Sequence, residues 1–263
     1  MFKGYDLSVL QGFPDFQQVA SNGVSFIIHR CGVGNSGIDS NYSKNIAAAK
    51  AAGLLVACYH FIYPLPPNPA DPLRDPIKQA NYHWNAAGGE LAFFDAEWPA
   101  QQDFSKWNVT PQSINQWMIA YAAEYTRLDG GRKIGIYTYP YWAAVVKIDP
   151  ILTQYPLWIA SYEPTPAVPA PFTNWVLWQN TGGTGPNAGH LPSGVPVDTN
   201  FAKDLSLWQS ATVAPPPDPT PAPVLESPPQ ESDIPVAPAP VVLISPPSNI
   251  FNTIVSAITN FFK

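Results

Sequence analysis

Along the first 200 residues, short apolar runs rich in β-forming side chains recur, and eight of them read as strands. They are KGYDLS (3–8), SFIIHR (25–30), LLVACYHFI (54–62), LAFFDAEW (91–98), KIGIYTY (133–139), PLWIASY (156–162), WVLWQN (175–180) and VPVDTNF (195–201). The early runs are almost continuously apolar rather than alternating, the pattern of parallel strands covered on both faces. Between them the period lengthens to that of a helix. Residues 41–53, NYSKNIAAAKAAG, are Ala-rich and stop at Gly53. Residues 110–129 begin Thr110-Pro111, an N-cap followed by proline at the first helical position. There Ile114, Trp117, Met118, Tyr121, Ala122, Tyr125 and Leu128 share one face, which reads as core packing. After Tyr139 the connections shorten, and GGTGPNAGHLPSG (182–194) reads as a loop. Strand–helix alternation with eight strands implies an α/β barrel of the (β/α)8 type. About 210 residues is short for a fold that usually takes about 250. The missing length falls where late helices are missing, so the second half of the barrel is expected to have an incomplete helical jacket.

The periodic pattern stops near Ser210. All nine Trp and all four His lie at or before Trp208, whereas Ala214–Pro247 holds 13 prolines, four acids and no basic residue. Such a composition buries no core and reads as an extended spacer. The predicted organisation is a barrel domain over 1–210, a Pro-rich acidic linker over 211–247 and a short amphipathic helical tail over 248–263. In the tail, Ile250, Phe251, Ile254, Val255, Ile258, Phe261 and Phe262 recur at helical spacing. An apolar helix on a tether reaching about 100 Å at ~3.1 Å per residue suggests docking, to a membrane surface, to a virion or other assembly, or to itself.

Charge and cysteine content narrow the classes. The formal net charge is −6, without a basic patch, which argues against a nucleic-acid partner. The opening MFKGYDLS lacks the basic and apolar regions of a secretory signal, and no run approaches the ~20 apolar residues of a membrane span. Action at a cell wall would then need another delivery route, such as release at lysis or carriage on a virion. Cys31 and Cys58 each sit beside an apolar run, as small buried hydrophobes or as a pair of neighbouring strands able to form a disulfide. No Cys-rich or His-rich spacing suggests zinc, so neither metal nor cofactor is expected. His29 and His60 read as packed or hydrogen-bonded histidines.

The candidate chemistry lies in FFDAEWP (93–99), where two acids interrupt an apolar run in a chain with only 12% charged residues. Barrel enzymes gather their chemistry at the C-terminal ends of the strands. Asp6 falls near the end of the first run, Asp95 and Glu97 near the end of the fourth, and Asp198 near the end of the eighth. Four carboxylates are thus expected at one mouth, with Asp6 close to Asp198 because first and last strands adjoin in a closed barrel. Side chains at i and i+2 of a strand face the same way, so Asp95 and Glu97 share a cavity while Ala96 points elsewhere. Like charges and the apolar neighbours Phe94 and Trp98 raise a carboxyl pKa. A carboxylic acid still protonated near neutral pH is what glycosidic cleavage requires. Tyr59, Tyr63, Tyr137, Tyr139, Trp158, Tyr162 and Trp178 fall at or near strand ends, where flat rings with polar tips suit pyranoses or plug the barrel.

The ordered blocks GYDLSVLQG (4–12), GVSFIIHRCG (23–32), DSNYSKNIAAAKAAGLLVACYHF (39–61), FFDAE (93–97), IGIYTYPYW (135–142), LWIASY (157–162), WVLWQN (175–180) and GVPVDTNF (194–201) resemble those of glycoside hydrolase family 25 over residues 2–208. This is the Chalaropsis-type lysozyme or N-acetylmuramidase family of phage endolysins and bacterial autolysins. The resemblance implies a (β/α)5β3 barrel and hydrolysis of the β-1,4 bond from N-acetylmuramic acid to N-acetylglucosamine in peptidoglycan glycan strands. It implies that Glu97 is the catalytic acid, Asp95 its partner, and Asp6 and Asp198 the acids of the first and last strands. It also implies that Tyr59, Tyr137 and Trp158 line the saccharide cleft. Leu10 replaces the family's usual aromatic before Gln11-Gly12, and PLPPNPADPLRDP (64–76) is unusually proline-rich. Two other readings are a chitinase-like enzyme, disfavoured because Phe93 stands where a further Asp is wanted, and a non-catalytic wall-binding or virion protein, disfavoured by four intact acids.

Overall fold

The computed structural model describes residues 1–35, 37–64, 74–97, 104, 107–183 and 188–209. The linker and tail expected over 211–263, the side chain of Trp98 and most of the proline-rich 64–76 segment lie outside the described residues. The strands are β1 (Phe2–Leu7), β2 (Val24–Val33), β3 (Gly37–Ile38), β4 (Leu55–Phe61), β5 (Leu91–Asp95), β6 (Gly135–Thr138), β7 (Leu157–Ala160), β8 (Leu177–Gln179), β9 (Gly189–His190) and β10 (Pro196–Ala202). Among the described residues the pairing runs β1-β2-β4-β5-β6-β7-β8-β10 and returns to β1, closing an eight-stranded barrel. Neighbours are parallel from β1 through β8, and β10 is antiparallel to both β8 and β1. β3 hairpins back on β2, and β9, inside the segment read as a loop, pairs with β10.

Alternation along the strands sorts side chains into two cores. Phe26, Ile28, Ala57, Phe93, Tyr137, Trp158, Leu177 and Ala202 fill the barrel interior. Their strand neighbours Ile27, Val56, Phe94, Ile136 and Ile159 face outward and belong to the larger cluster shared with the helices. Such filling requires glycine at two interior positions. A Cβ on Gly4 would come within 2.1 Å of the Phe26 ring, and one on Gly135 within 2.1 Å of the Phe93 ring. At the end opposite the strand C-termini, Trp208 seals the floor. Its ring lies 5.0 Å from that of Phe26, and its indole N–H donates to the Val56 carbonyl at 2.8 Å.

The helices are α1 (Phe16–Ser21), α2 (Tyr42–Ala51), α3 (Arg74–Ala87), α4 (Pro111–Leu128), α5 (Pro140–Val146) and α6 (Ser206–Gln209). α2 and α4 are the two that the periodicity predicts. Thr110 caps α4 by accepting from Ser113 N at 3.0 Å, while Ser113 Oγ accepts from Thr110 N at 2.8 Å, and Pro111 opens the first turn. The α4 stripe of Ile114, Trp117, Met118, Tyr121, Ala122 and Tyr125 is buried against the barrel. The jacket thins after β6 as expected: only the seven-residue α5 and a 3-10 turn at Pro150–Gln154 precede β7. Cys31 and Cys58 are both buried and free, and His29 and His60 are fully buried with hydrogen-bond partners.

Candidate active site

The pairing of β1 with β10 sets Asp6 directly opposite Asp198. Asp95 ends β5, with Phe61 of β4 and Tyr137 of β6 on either side. One more ladder bond, Ala96 N to the Tyr137 carbonyl at 2.9 Å, carries the pleat past the strand end. Ala96 joins the outer core, and Asp95 and Glu97 turn to the other side, into the mouth. The four acids predicted from sequence therefore stand at one end of the barrel. Asp6 and Asp95 are buried, and Glu97 and Asp198 half-buried.

Their environments differ, and the differences sort the protons. Asp6 Oδ2 accepts from Asn200 Nδ2 at 2.7 Å and from Gln179 Nε2 at 2.9 Å. Burial lifts its pKa to about 6, and those two donors oppose the lift by favouring the charged form. Glu97 lies at about 7, pushed up first by burial and then by the charge of Asp6. Asp198 lies at about 8, raised by burial and by Asp6 and Glu97. Asp95 is raised well above the usual carboxylate range by burial, then by the charges of Glu97 and Asp6, with Arg30 acting the other way. Among the described residues Asp95 Oδ1 is buried without a hydrogen-bond partner. The site therefore favours a charge on Asp6 and a proton on Glu97 around neutrality.

Four residues of this frame escape the sequence reading. Gln179 is a hub: its Oε1 accepts from the Tyr137 hydroxyl at 3.0 Å and the Tyr162 hydroxyl at 3.1 Å, which fixes Nε2 on Asp6. Asn200 is set likewise, its Oδ1 accepting from the Trp158 indole at 2.8 Å. Both amides are almost wholly buried, and a buried polar side chain is retained where it has partners. Arg30 is held at 3.1 Å by Asp39, whose carboxylate also accepts from Val9 N at 2.8 Å and Asn41 N at 3.1 Å. That bridge anchors the turn after β1 and aims a cation toward Asp95. Arg30 and Gln179 carry one signal in the sequence, a polar residue at the end of an apolar run, and Asp39 and Asn200 carry none.

The three aromatic residues expected in the cleft pack against one another. Tyr137 and Trp158 have ring centroids 4.6 Å apart, and Tyr59 and Trp158 5.9 Å apart, both edge-to-face. Trp158 is 1% exposed and packs also on Phe93, so it forms a floor beneath the other two. Tyr162, 62% exposed, stands at the rim. Gly182 and Gly183 pass close by, where an added Cβ would lie 2.8 Å from the Tyr162 hydroxyl and 2.7 Å from Asp198 Oδ1 respectively.

A barrel with four carboxyls at its C-terminal mouth can now be set beside known proteins. The sequence model described as Glycosyl hydrolases family 25 matches residues 5–187. The chain belongs to this family. It is 25% identical over 187 residues to "Lysozyme M1" of Streptomyces globisporus, a match covering 67% of this chain and 60% of that protein. The chain thus spans about 60% of the length of that curated relative. Solved structures also supply fold matches. The bacterial lysozyme from Streptomyces coelicolor superposes with a TM-score of 0.67 at 24% identity, over 80% of this chain and 96% of that one. The CTP1L endolysin gives a TM-score of 0.60 at 22% identity, over 80% and 69% respectively. For this family 25 chain, the lysozyme likeness is at the level of fold, and the site's chemistry rests on its own geometry.

Proposed function

We propose that the chain is a peptidoglycan hydrolase of the muramidase type. It cleaves the β-1,4 bond between N-acetylmuramic acid and N-acetylglucosamine, with Glu97 as the general acid. The observation carrying this reading is a half-buried glutamic acid with a pKa of about 7, at the mouth of a family 25 barrel, beside three further carboxyls. Glu97 gives its proton to the glycosidic oxygen as the bond from that oxygen to the anomeric carbon breaks. The sugar left behind takes on oxocarbenium character. Positive charge developing there favours the ionised form of Asp95, as Arg30 already does. Asp6, held charged by Gln179 and Asn200, keeps the proton on Glu97 until it is needed. Asp198 adds to that field. Tyr59 and Tyr137 border the saccharide, with Trp158 supporting their rings from below.

The same reading makes residues 1–210 the catalytic unit and 211–247 a tether. A phage lysin, freed at host lysis or borne on a virion, fits the likeness to an endolysin and the acidic, proline-rich extension. No helix of the described residues is long and apolar enough to cross a membrane. The deciding experiment is digestion of purified peptidoglycan with identification of the new reducing end. Muramic acid at that end supports the proposal, and glucosamine overturns it.

A further inference from the structure

On the outer side of the barrel, away from the acidic mouth, three soft side chains meet. Cys31 of β2 and Cys58 of β4 point into the outer core, and His83 reaches them from α3. The two Sγ atoms and one ring nitrogen of His83 all lie within 4.8 Å of one another, and all three residues are buried. Cys58 Sγ stands 3.7 Å from His83 Nε2. Zinc bonds of ~2.3 Å to sulfur and ~2.05 Å to nitrogen at tetrahedral angles put those two ligand atoms about 3.6 Å apart.

The surroundings are those of a held ligand. His83 Nδ1 is 2.7 Å from the Tyr121 hydroxyl; with Nδ1–H donating there, as the outer hydrogen bond of a metal-bound imidazole does, the Nε2 lone pair is left for a metal. The ring is stacked on His60 at 4.9 Å and packed on Tyr125 at 4.6 Å. The Tyr42 hydroxyl donates to the Ala87 carbonyl at 2.8 Å. Two thiolates and a neutral imidazole carry two negative charges, which a divalent ion cancels, so the loaded site is neutral where an uncompensated charge is costly. None of these residues has a part in the chemistry at the mouth.

We propose that Cys31, Cys58 and His83 supply three ligands of a thiophilic metal site that takes Zn²⁺, with water in the fourth position, and pins α3 to β2 and β4. On loading, one Zn²⁺ enters and two thiol protons leave to solvent, while the histidine stays neutral. Because the site is closed, the ion is acquired as the chain folds.

The test uses the full chain produced in cobalt-supplemented medium and purified without chelator. The expected result is one cobalt ion per chain, a thiolate-to-cobalt charge-transfer band in the near ultraviolet, and loss of that band when zinc replaces cobalt. The Cys31→Ser and Cys58→Ser chains should lose the band. Tyr121→Phe, which keeps the ligands and removes the orienting hydroxyl, should bind about tenfold more weakly or worse. A folded wild-type chain with neither band nor retained metal overturns the proposal. So does a band of undiminished intensity in both the Cys31→Ser and the Cys58→Ser chains. The wild-type stoichiometry decides even where a serine variant fails to fold.

Discussion

Glu97 keeps its proton into the neutral range because burial and a charged Asp6 both oppose its ionisation. The catalytic rate should therefore fall as pH rises through about 7, where Glu97 loses the proton it must donate. Glu97→Gln should reduce wall lysis by several orders of magnitude while leaving the circular dichroism spectrum and melting temperature near those of the parent. Retained lysis would remove Glu97 from its role. Gln179→Met tests the charge relation directly. It keeps the bulk but withdraws a donor from Asp6, so Asp6 ionises less readily and repels Glu97 less. The alkaline limb of kcat/KM should move down by about 0.5–1 pH unit, and an unmoved limb would mean that Asp6 does not govern Glu97. The acids were legible in the sequence because a carboxylate at the end of an apolar strand is conspicuous. Gln179 and Asn200 were not, because an amide in WQN or DTN reads equally as a strand end meeting solvent. Only the closure of β1 onto β10 and β8 shows that both amides are aimed at Asp6.

At the scale of elements, the same contrast separates α4 from α3. α4 announces itself through Thr110-Pro111 and an apolar stripe, and its cap is formed as the sequence implies. Thr110→Ala should lower stability by about 1 kcal/mol, read as a shift of the urea midpoint at constant m-value. α3 lacks an apolar stripe in the sequence because its buried side is only partly apolar: Pro76, Gln79, Ala80, His83 and Ala87 are buried, and two of these five are polar. Gln79 accepts from Tyr63 N at 3.1 Å and His83 bonds Tyr121, so the helix docks partly through hydrogen bonds that hydropathy does not register. The strands were read well in position but too long, since β6, β7 and β8 shorten to four, four and three residues. Within the interior, Gly135 faces the ring of Phe93, and Gly135→Ala should cost about 1–3 kcal/mol through overpacking. Combining it with Phe93→Leu should cost less than the sum of the two single changes in chemical unfolding. Strict additivity would show that the two positions do not share that space.

For the barrel as a whole, eight runs and the thin second jacket foretold closure, and closure foretold that Asp6 would meet Asp198. The reversal of β10 follows from the Gly- and Pro-rich 180–195 connection, which has no helical period to carry a parallel crossover. Closure also has an energetic consequence, because it packs the acids into one buried mouth. The native pKa values of about 6 for Asp6, 7 for Glu97 and 8 for Asp198 all exceed ordinary carboxylate values of 3.8 or 4.5. Between the two sets the native chain holds more protons than the unfolded one, so stability falls as pH rises. The benefit of these protons is complete below the unfolded values and gone above about 8. Asp15, Glu124 and Asp204 act in the opposite sense, since hydrogen bonds lower their pKa values and acidification removes their contribution. The melting temperature should accordingly peak near pH 5 and decline toward pH 8. Asp198→Asn deletes one like charge without deleting bulk. At pH 8 it should raise stability by about 1–2 kcal/mol, less than the isolated shift implies because the acids share one repulsion. At pH 5, where the native Asp198 is protonated, the gain should shrink, and it should vanish only below the unfolded value of 3.8. A gain of equal size at both pH values would show that repulsion at the mouth is not its source.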